Sequence, residues 1–134
     1  MNFFKTLGNI FSNQGREEEL TSSESGWNRV SSEKEVDEII LSSNHKTQVL
    51  YKHSTRCATS FFALQNLKSI SEEKIKKTDF YLIDVIGQRN IAGYISQQLH
   101  VRHESPQVLI LRDGKVVWHG SHHMVQTDNV VRYL

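Results

Sequence analysis

From Trp27 onward, short apolar runs alternate with longer segments in which apolar residues recur every three to four positions. The short runs predict β-strands and the periodic segments predict α-helices. The predicted strands are Trp27–Val30, Gln48–His53, Asp79–Ile86, Gln107–Leu111 and Val116–His119. The first predicted helix follows the capping run Ser31-Ser32-Glu33. The other predicted helices occupy about Cys57–Ser69, Asn90–Leu99 and Thr127–Leu134.

The resulting order is β-α-β-α-β-α-β-β-α. Strands separated by helices are expected to be parallel and joined by right-handed crossovers. The Asp113-Gly114 pair predicts a tight turn, so the last two strands should form an antiparallel hairpin. Asp79–Ile86 is almost wholly apolar, as expected of a central strand covered on both faces. The order predicts an α/β fold, a thioredoxin-like three-layer sandwich with a central mixed sheet and helices on both faces.

The spacing of apolar residues also predicts which helix faces are buried. In the first helix, the expected apolar stripe is Val36, Ile39, Ile40 and Leu41. In the helix that begins near Cys57, the expected buried face is Phe61, Phe62, Leu64, Leu67 and Ile70.

Residues 1–26 differ in character from the rest of the chain. Apolar residues near the start recur at three to four positions, which predicts a short amphipathic helix and not a signal peptide. Arg16–Gly26 is polar and rich in turn-forming residues, as is typical of a linker. We therefore divide the chain into this helix and linker and a domain over 27–134. A helix docked on the domain is favoured over a membrane-surface or partner-binding helix, because few positive charges accompany it.

Composition narrows the functional classes. The chain has 134 residues and a formal net charge of +1, so no large basic field would attract nucleic acid. No apolar run approaches the roughly 18 residues of a membrane span. The single cysteine excludes an internal disulfide framework and a cysteine-rich zinc site. His119, His122 and His123 lack a carboxylate or thiol at fitting spacing, so we expect no metal site.

Cys57 is the strongest candidate for chemistry. It follows a predicted strand and opens a predicted helix, where free N–H groups and the helix dipole favour a thiolate. His53 and Arg56 are expected to add positive charge, and the Ser60 hydroxyl lies where it can donate to the sulfur. Cys57 and Ser60 form a C-x-x-S arrangement without a second, resolving thiol. The alternative is an inert, buried cysteine.

Pro106, the only proline, is the second candidate. It directly precedes a predicted strand that follows the third predicted helix. In a thioredoxin-like arrangement this position lies across from the reactive cysteine. A cis Ser105–Pro106 bond is therefore expected, although most X–Pro bonds are trans. Such a bond would expose the backbone of Ser105 to an extended substrate.

Two segments resemble the monothiol bacilliredoxins of the YtxJ type. The first is Tyr51-Lys52-His53-Ser54-Thr55-Arg56-Cys57-Ala58-Thr59-Ser60. The second is Val101-Arg102-His103-Glu104-Ser105-Pro106-Gln107-Val108-Leu109, followed by Asp113-Gly114-Lys115-Val116-Val117-Trp118-His119. The resemblance extends from about Trp27 to the C-terminus. One departure is Ala58, where the family usually has proline, and this change is expected to affect redox potential and rate.

The resemblance implies a cytoplasmic thiol–disulfide oxidoreductase that removes bacillithiol from S-bacillithiolated proteins. It implies no bound cofactor, with bacillithiol as thiol co-substrate and with bacillithiolated proteins and a thiol reductant as partners. Cys57 would be the nucleophile and Pro106 the cis-proline. The other expected substrate-binding residues are Ser105, Thr55 and Arg102.

Bacillithiol carries malate carboxylates, which Arg binds well through its bidentate fork. Besides Arg102, the cationic candidates near the predicted site are Lys52, His53, Arg56 and His103. For Lys52 and Arg102, ordinary solvated surface charge is an equally good interpretation. Two other functions stay open: a non-catalytic thioredoxin-like interaction module contacting partners through its N-terminal helix, and a thiol-dependent reductase of another small substrate, such as arsenate.

Overall fold

The computed structural model of the protein describes residues 27–134. Five strands occupy Trp27–Arg29 (β1), Thr47–His53 (β2), Thr78–Asp84 (β3), Gln107–Arg112 (β4) and Lys115–Ser121 (β5). The α-helices occupy Glu33–Ser42 (α1), Ala58–Lys68 (α2), Glu72–Lys76 (α3), Arg89–Leu99 (α4) and Thr127–Val131 (α5). A 3-10 turn over His122–Met124 precedes α5. The helix and linker predicted for 1–26 lie outside the described residues.

The strands form one mixed sheet in the order β1-β3-β2-β4-β5. β1, β3 and β2 are parallel, whereas β4 is antiparallel to β2 and pairs with β5 in the predicted hairpin. The predicted mixed sheet and the antiparallel pairing of its last two strands are confirmed. β2 is the central strand, and the chain leaves its carboxyl end directly toward Cys57. The carboxyl end of β2 therefore decides where the candidate site lies.

Helix ends follow local capping chemistry. The Ser32 hydroxyl accepts a hydrogen bond from the Glu35 N–H at the start of α1, as the capping run predicts. α3 was not predicted, because its five residues offer no apolar stripe, but the Ser71 hydroxyl caps it by accepting from the Lys74 N–H. Within residues 27–134, no helix is long and apolar enough to cross a membrane.

The core consists of two clusters, one on each face of the sheet. On the face covered by α2 and α5, its buried members include Val49, Tyr51, Leu64, Leu67, Phe80 and Val130. On the face covered by α1 and α4, they include Val36, Ile39, Leu50, Ile83, Ile95 and Leu109. Residues of β2 contribute to both clusters, because successive side chains point to opposite faces of a strand. The predicted three-layer arrangement is confirmed.

Three predicted core residues are exposed. Phe61, Phe62 and Leu41 keep 45%, 64% and 66% of their surface accessible, so the prediction was wrong for them. α2 is apolar on most of its circumference, and only one side of a helix can contact the sheet. Ala63, Leu64 and Leu67 take that side. Phe61 and Phe62 instead form an edge-to-face pair, their ring centroids 5.4 Å apart, near the start of α2.

Candidate active site

Cys57 lies at the N-cap of α2, four residues after the end of the central strand. Its backbone is extended (φ −120°, ψ 121°), and its carbonyl accepts the first helical hydrogen bond from the Phe61 N–H at 3.1 Å. A tight turn precedes it, closed by the Cys57 N–H donating to the Ser54 carbonyl at 3.3 Å. The thiol is partly exposed and free. The sequence therefore places a reachable sulfur at a helix N-terminus.

The pKa of the Cys57 thiol is lower than its ordinary value, chiefly through the backbone N–H of Ser60. The N–H and hydroxyl of Thr59 and the hydroxyl of Ser60 lower it further, while partial burial acts in the opposite direction. The sulfur makes no side-chain cap hydrogen bond of full geometry. Several weakly aligned dipoles at the helix start therefore stabilise the thiolate together.

Ser60 holds this first turn in place. Its side chain is buried, and its hydroxyl accepts a hydrogen bond from the Ser54 N–H at 3.2 Å. Its carbonyl accepts a second hydrogen bond from the Tyr51 hydroxyl at 2.9 Å, a contact that the sequence did not indicate. Ser60 thus links the turn, the helix and the strand beneath them. The N–H groups that face the sulfur are fixed by the same contacts.

His53 does not act as the cation that was expected beside the thiolate. It is buried, and burial lowers its pKa from 6.5 to about 4, so the ring is neutral at physiological pH. Its Nδ1 lies 3.0 Å from the Tyr51 hydroxyl oxygen. Because Tyr51 donates its proton to the Ser60 carbonyl, Nδ1–H of His53 donates to Tyr51. The prediction that His53 adds positive charge beside the thiolate was therefore wrong. The neutral ring instead hydrogen-bonds the Tyr51 hydroxyl.

The two residues that follow Ser54 are both accessible to solvent, but to different extents. Arg56 is exposed and Thr55 is half-buried. The interactions that lower the Cys57 pKa come from Ser60 and Thr59, and the guanidinium of Arg56 is not among them. The roles predicted for Arg56 in thiolate stabilisation and for Thr55 in substrate binding stay predictions.

The Ser105–Pro106 peptide bond is cis, as expected. Pro106 directly precedes β4, whose first residue, Gln107, pairs with Lys52 of β2. The cis-proline therefore lies at the same end of the sheet from which the chain departs toward Cys57. The Pro106 carbonyl accepts a hydrogen bond from the His122 N–H at 2.9 Å, which ties the proline to the end of the hairpin. Substrate binding by Ser105 and Pro106 stays a prediction.

Lys52 is not a solvated surface charge. It has 0% of its surface accessible, and its ammonium lies 3.2 Å from the Ser96 hydroxyl and 3.1 Å from His103 Nδ1. Burial lowers its pKa to about 8, an effect opposed by Glu104. The sequence feature that could have indicated this burial is the position of Lys52 directly after an apolar run in β2. Arg102, by contrast, is exposed, and its predicted role in substrate binding stays untested.

The clustered histidines offer no metal centre within the described chain. His119, His122 and His123 are all exposed near the end of β5. Among residues 27–134, no group of three or more His, Cys, Asp or Glu side chains is placed to hold a metal ion.

Comparisons with known proteins agree with this geometry. A solved structure with a thioredoxin fold matches with a TM-score of 0.72 and 24% identity, over 82% of this chain and 95% of that one. Thioredoxin from Nicotiana alata matches with a TM-score of 0.61 and 20% identity, over 80% and 88% of the two chains. These structures show the thioredoxin fold. The model of the family described as monothiol bacilliredoxin BrxC matches residues 28–130. With its one cysteine at the start of α2, this chain belongs to the monothiol bacilliredoxin family, whose function is redox.

Proposed function

We propose that the protein removes bacillithiol from S-bacillithiolated proteins through a mixed disulfide on Cys57. The observation that carries this proposal is a single, partly exposed thiol whose pKa is lowered by the first turn of α2. Membership of the monothiol bacilliredoxin family supports a thiol-containing partner. A thiol that must stay reduced between turnovers suits a reducing compartment, so we place the reaction in the cytoplasm.

In the first step, the Cys57 thiolate attacks the bacillithiol sulfur of a protein–S–S–bacillithiol adduct. A new disulfide forms between Cys57 and bacillithiol as the old disulfide breaks. The target protein leaves as a thiolate and takes up a proton from solvent. No net oxidation occurs, because one disulfide replaces another.

In the second step, an external thiol must release Cys57, since the chain has one cysteine only. A bacillithiol thiolate, or a thiolate on a partner protein, attacks the bacillithiol sulfur of the mixed disulfide. Cys57 leaves as a thiolate, and the external thiol becomes the new disulfide partner of bacillithiol. The missing resolving cysteine therefore makes the enzyme dependent on a reductant supplied in solution.

A lowered thiol pKa serves the second step more than the first. Lowering the pKa increases the thiolate fraction but reduces intrinsic nucleophilicity, with a Brønsted coefficient of about 0.4–0.5. These two effects largely offset each other when Cys57 attacks. When Cys57 departs, a lower pKa only helps, because a more stable thiolate is the better leaving group. The dipoles around Cys57 thus favour a carrier of transient disulfides.

The surroundings of Cys57 suggest how the adduct would bind. We propose that the backbone of Ser105, the half-buried residue directly before Pro106, pairs with an extended segment of the target protein. The malate carboxylates of bacillithiol would contact Arg56 and Arg102, which are both exposed. Thr55 lies in the turn between β2 and Cys57 and would contact the same bound adduct.

The test measures bacillithiol release from a bacillithiolated substrate protein, in parallel with the intact mass of the enzyme. After exposure to oxidised bacillithiol, the wild-type protein should gain the mass of one bacillithiol less two hydrogens. Cys57→Ser should show neither this adduct nor substrate release. Release by Cys57→Ser at the wild-type rate would contradict the proposal.

An alkylation titration separates this enzyme from a non-catalytic interaction module. Iodoacetamide labels thiolates, so the pH dependence of labelling reports the thiol pKa directly. We expect the labelling midpoint of Cys57 to be lower than that of an unperturbed thiol, near 8.5. A midpoint at or above that value, with slow labelling, would favour the interaction module.

A further inference from the structure

The buried ammonium of Lys52 forms no ion pair at contact distance in the described structure, although the nearby charge of Glu104 favours its protonated form. Its side chain is fully covered, and within residues 27–134 no carboxylate forms an ion pair with it. Its two contacts are neutral groups: the Ser96 hydroxyl on α4 at 3.2 Å and His103 Nδ1 at 3.1 Å. Lys52 lies in β2, five residues before Cys57. The strand that presents the thiol therefore also carries a buried cation.

Burying a lysine within a strand costs free energy of folding. Removing an ammonium from water is unfavourable, and an apolar side chain of similar volume is often equally or more stabilising. The lowered pKa of Lys52, about 8, reflects this desolvation. What the lysine adds is a pair of directed hydrogen bonds at the tip of a long side chain. The hydrogen bond to His103 connects Lys52 to the candidate site, because His103 lies in the loop that ends at the cis-proline.

A second side chain holds the same loop. Gln107 is the cross-strand partner of Lys52, so the two side chains emerge next to each other on one face of the sheet. The Gln107 side-chain amide donates to the Arg102 carbonyl at 2.9 Å. Lys52 and Gln107 thus bind two consecutive residues of the loop, Arg102 and His103. Ser105 and Pro106 follow after one further residue.

We propose that Lys52 is a positioning residue for the loop of residues 100–106, holding His103 so that the backbone of Ser105 is presented to the disulfide substrate. This inference rests on the proposed function and deepens it. Lys52 touches neither the sulfur nor the substrate in this scheme. It couples the strand that carries the nucleophile to the loop that receives the target.

The kinetic test compares Lys52→Met with Ser96→Ala. Methionine keeps an unbranched side chain of similar length and removes both hydrogen bonds, whereas Ser96→Ala removes only the bond to α4. Lys52→Met should raise the KM for a bacillithiolated protein by roughly tenfold, as expected for losing a hydrogen bond to a charged group, with kcat within about twofold. Ser96→Ala should leave KM unchanged. An unchanged KM in Lys52→Met would overturn the inference.

Hydrogen exchange of the loop tests positioning without relying on turnover. Backbone amides within 100–106 should exchange several-fold faster in Lys52→Met, while the amides of β3 keep wild-type protection. His103→Phe, which keeps a ring but has no acceptor, should reproduce this change. The double variant should show no further increase, because both substitutions remove the same bond. Additive effects, or unchanged exchange in both single variants, would refute the coupling.

The two tests separate the possible failures. If the wild-type enzyme releases no bacillithiol, the proposed function is wrong, yet loop exchange still decides whether Lys52 holds the loop. If release occurs and Lys52→Met changes neither KM nor exchange, only the positioning inference fails. A uniform rise in exchange across the domain would show a general loss of stability and also contradict it. The alkylation midpoint of Cys57 should be the same in all these variants.

Discussion

Acidification should destabilise the protein through His53 in particular. The ring is buried beneath the start of α2, and its pKa is lowered from 6.5 to about 4. The folded state therefore holds His53 neutral at a pH where the unfolded chain already binds a proton. Stability contributed by the neutral ring is complete above the unfolded pKa of 6.5 and is lost as the pH falls toward 4.

The size of this effect follows from the two pKa values. Each unit of difference corresponds to about 1.4 kcal/mol of differential stability. With values of 6.5 and about 4, the free energy of unfolding should fall by about 2 kcal/mol between pH 7 and pH 4.5 through this one group. That is a large share of the roughly 5–15 kcal/mol typical of a small domain.

His53→Asn isolates the contribution. The asparagine amide can donate to the Tyr51 hydroxyl, as Nδ1–H of His53 does, but it does not titrate. Urea unfolding at pH 7 and pH 4.5, followed by the fluorescence of buried Trp27, gives the free energy of unfolding in each protein. His119→Asn, at an exposed position on β5, controls for losing one imidazole.

The comparison rests on the change between the two pH values, not on absolute stability. His53→Asn leaves unfilled space and is expected to be less stable than wild type at pH 7. It should nevertheless lose about 2 kcal/mol less on acidification than wild type or His119→Asn. Equal losses in all three proteins would show that His53 is not held neutral in the folded state.

Two further predictions concern the thiol and the core. Ser60→Ala should raise the pKa of Cys57, because the Ser60 hydroxyl lowers it, and should shift the alkylation profile to higher pH. Ser69→Ala, at the other end of α2, should leave that profile in place, and identical profiles in both variants would contradict the assignment. Leu64→Ala should lower the free energy of unfolding by about 2–5 kcal/mol, since Leu64 is buried against the sheet. Leu41→Ala should change it by less than about 0.5 kcal/mol because Leu41 is exposed, and similar losses in the two urea titrations would contradict this division.

Local patterns predicted the element order well. Capping serines, the Asp113-Gly114 turn and the apolar run of β3 are short-range signals, and each lies where the structure has the corresponding feature. The cis bond before Pro106 also followed from the sequence, once the order implied the fold. The short helix α3 was missed because one partly buried residue, Ile75, does not make a periodic pattern.

Side-chain environments at the site were predicted less well. His53 and Lys52 were both interpreted as cations near solvent, yet both are buried. Lys52 is buried by contacts with segments distant in sequence, whereas His53 lies on the face of β2 that α2 covers. The contact of Lys52 with His103 spans 51 positions, and that of Tyr51 with Ser60 crosses from the strand to the helix above it.

The sequence by itself determined that one thiol opens a helix directly after a strand, and that any reaction through this thiol must be completed by another molecule. These conclusions depend on local propensity and on counting a residue type, which need no coordinates. Only the tertiary structure decided that His53 is neutral, that Lys52 is buried against His103, and that Phe61 and Phe62 are exposed. Charge state and exposure depend on which groups exclude water from a side chain, and those groups are brought together only by the packing of the folded chain.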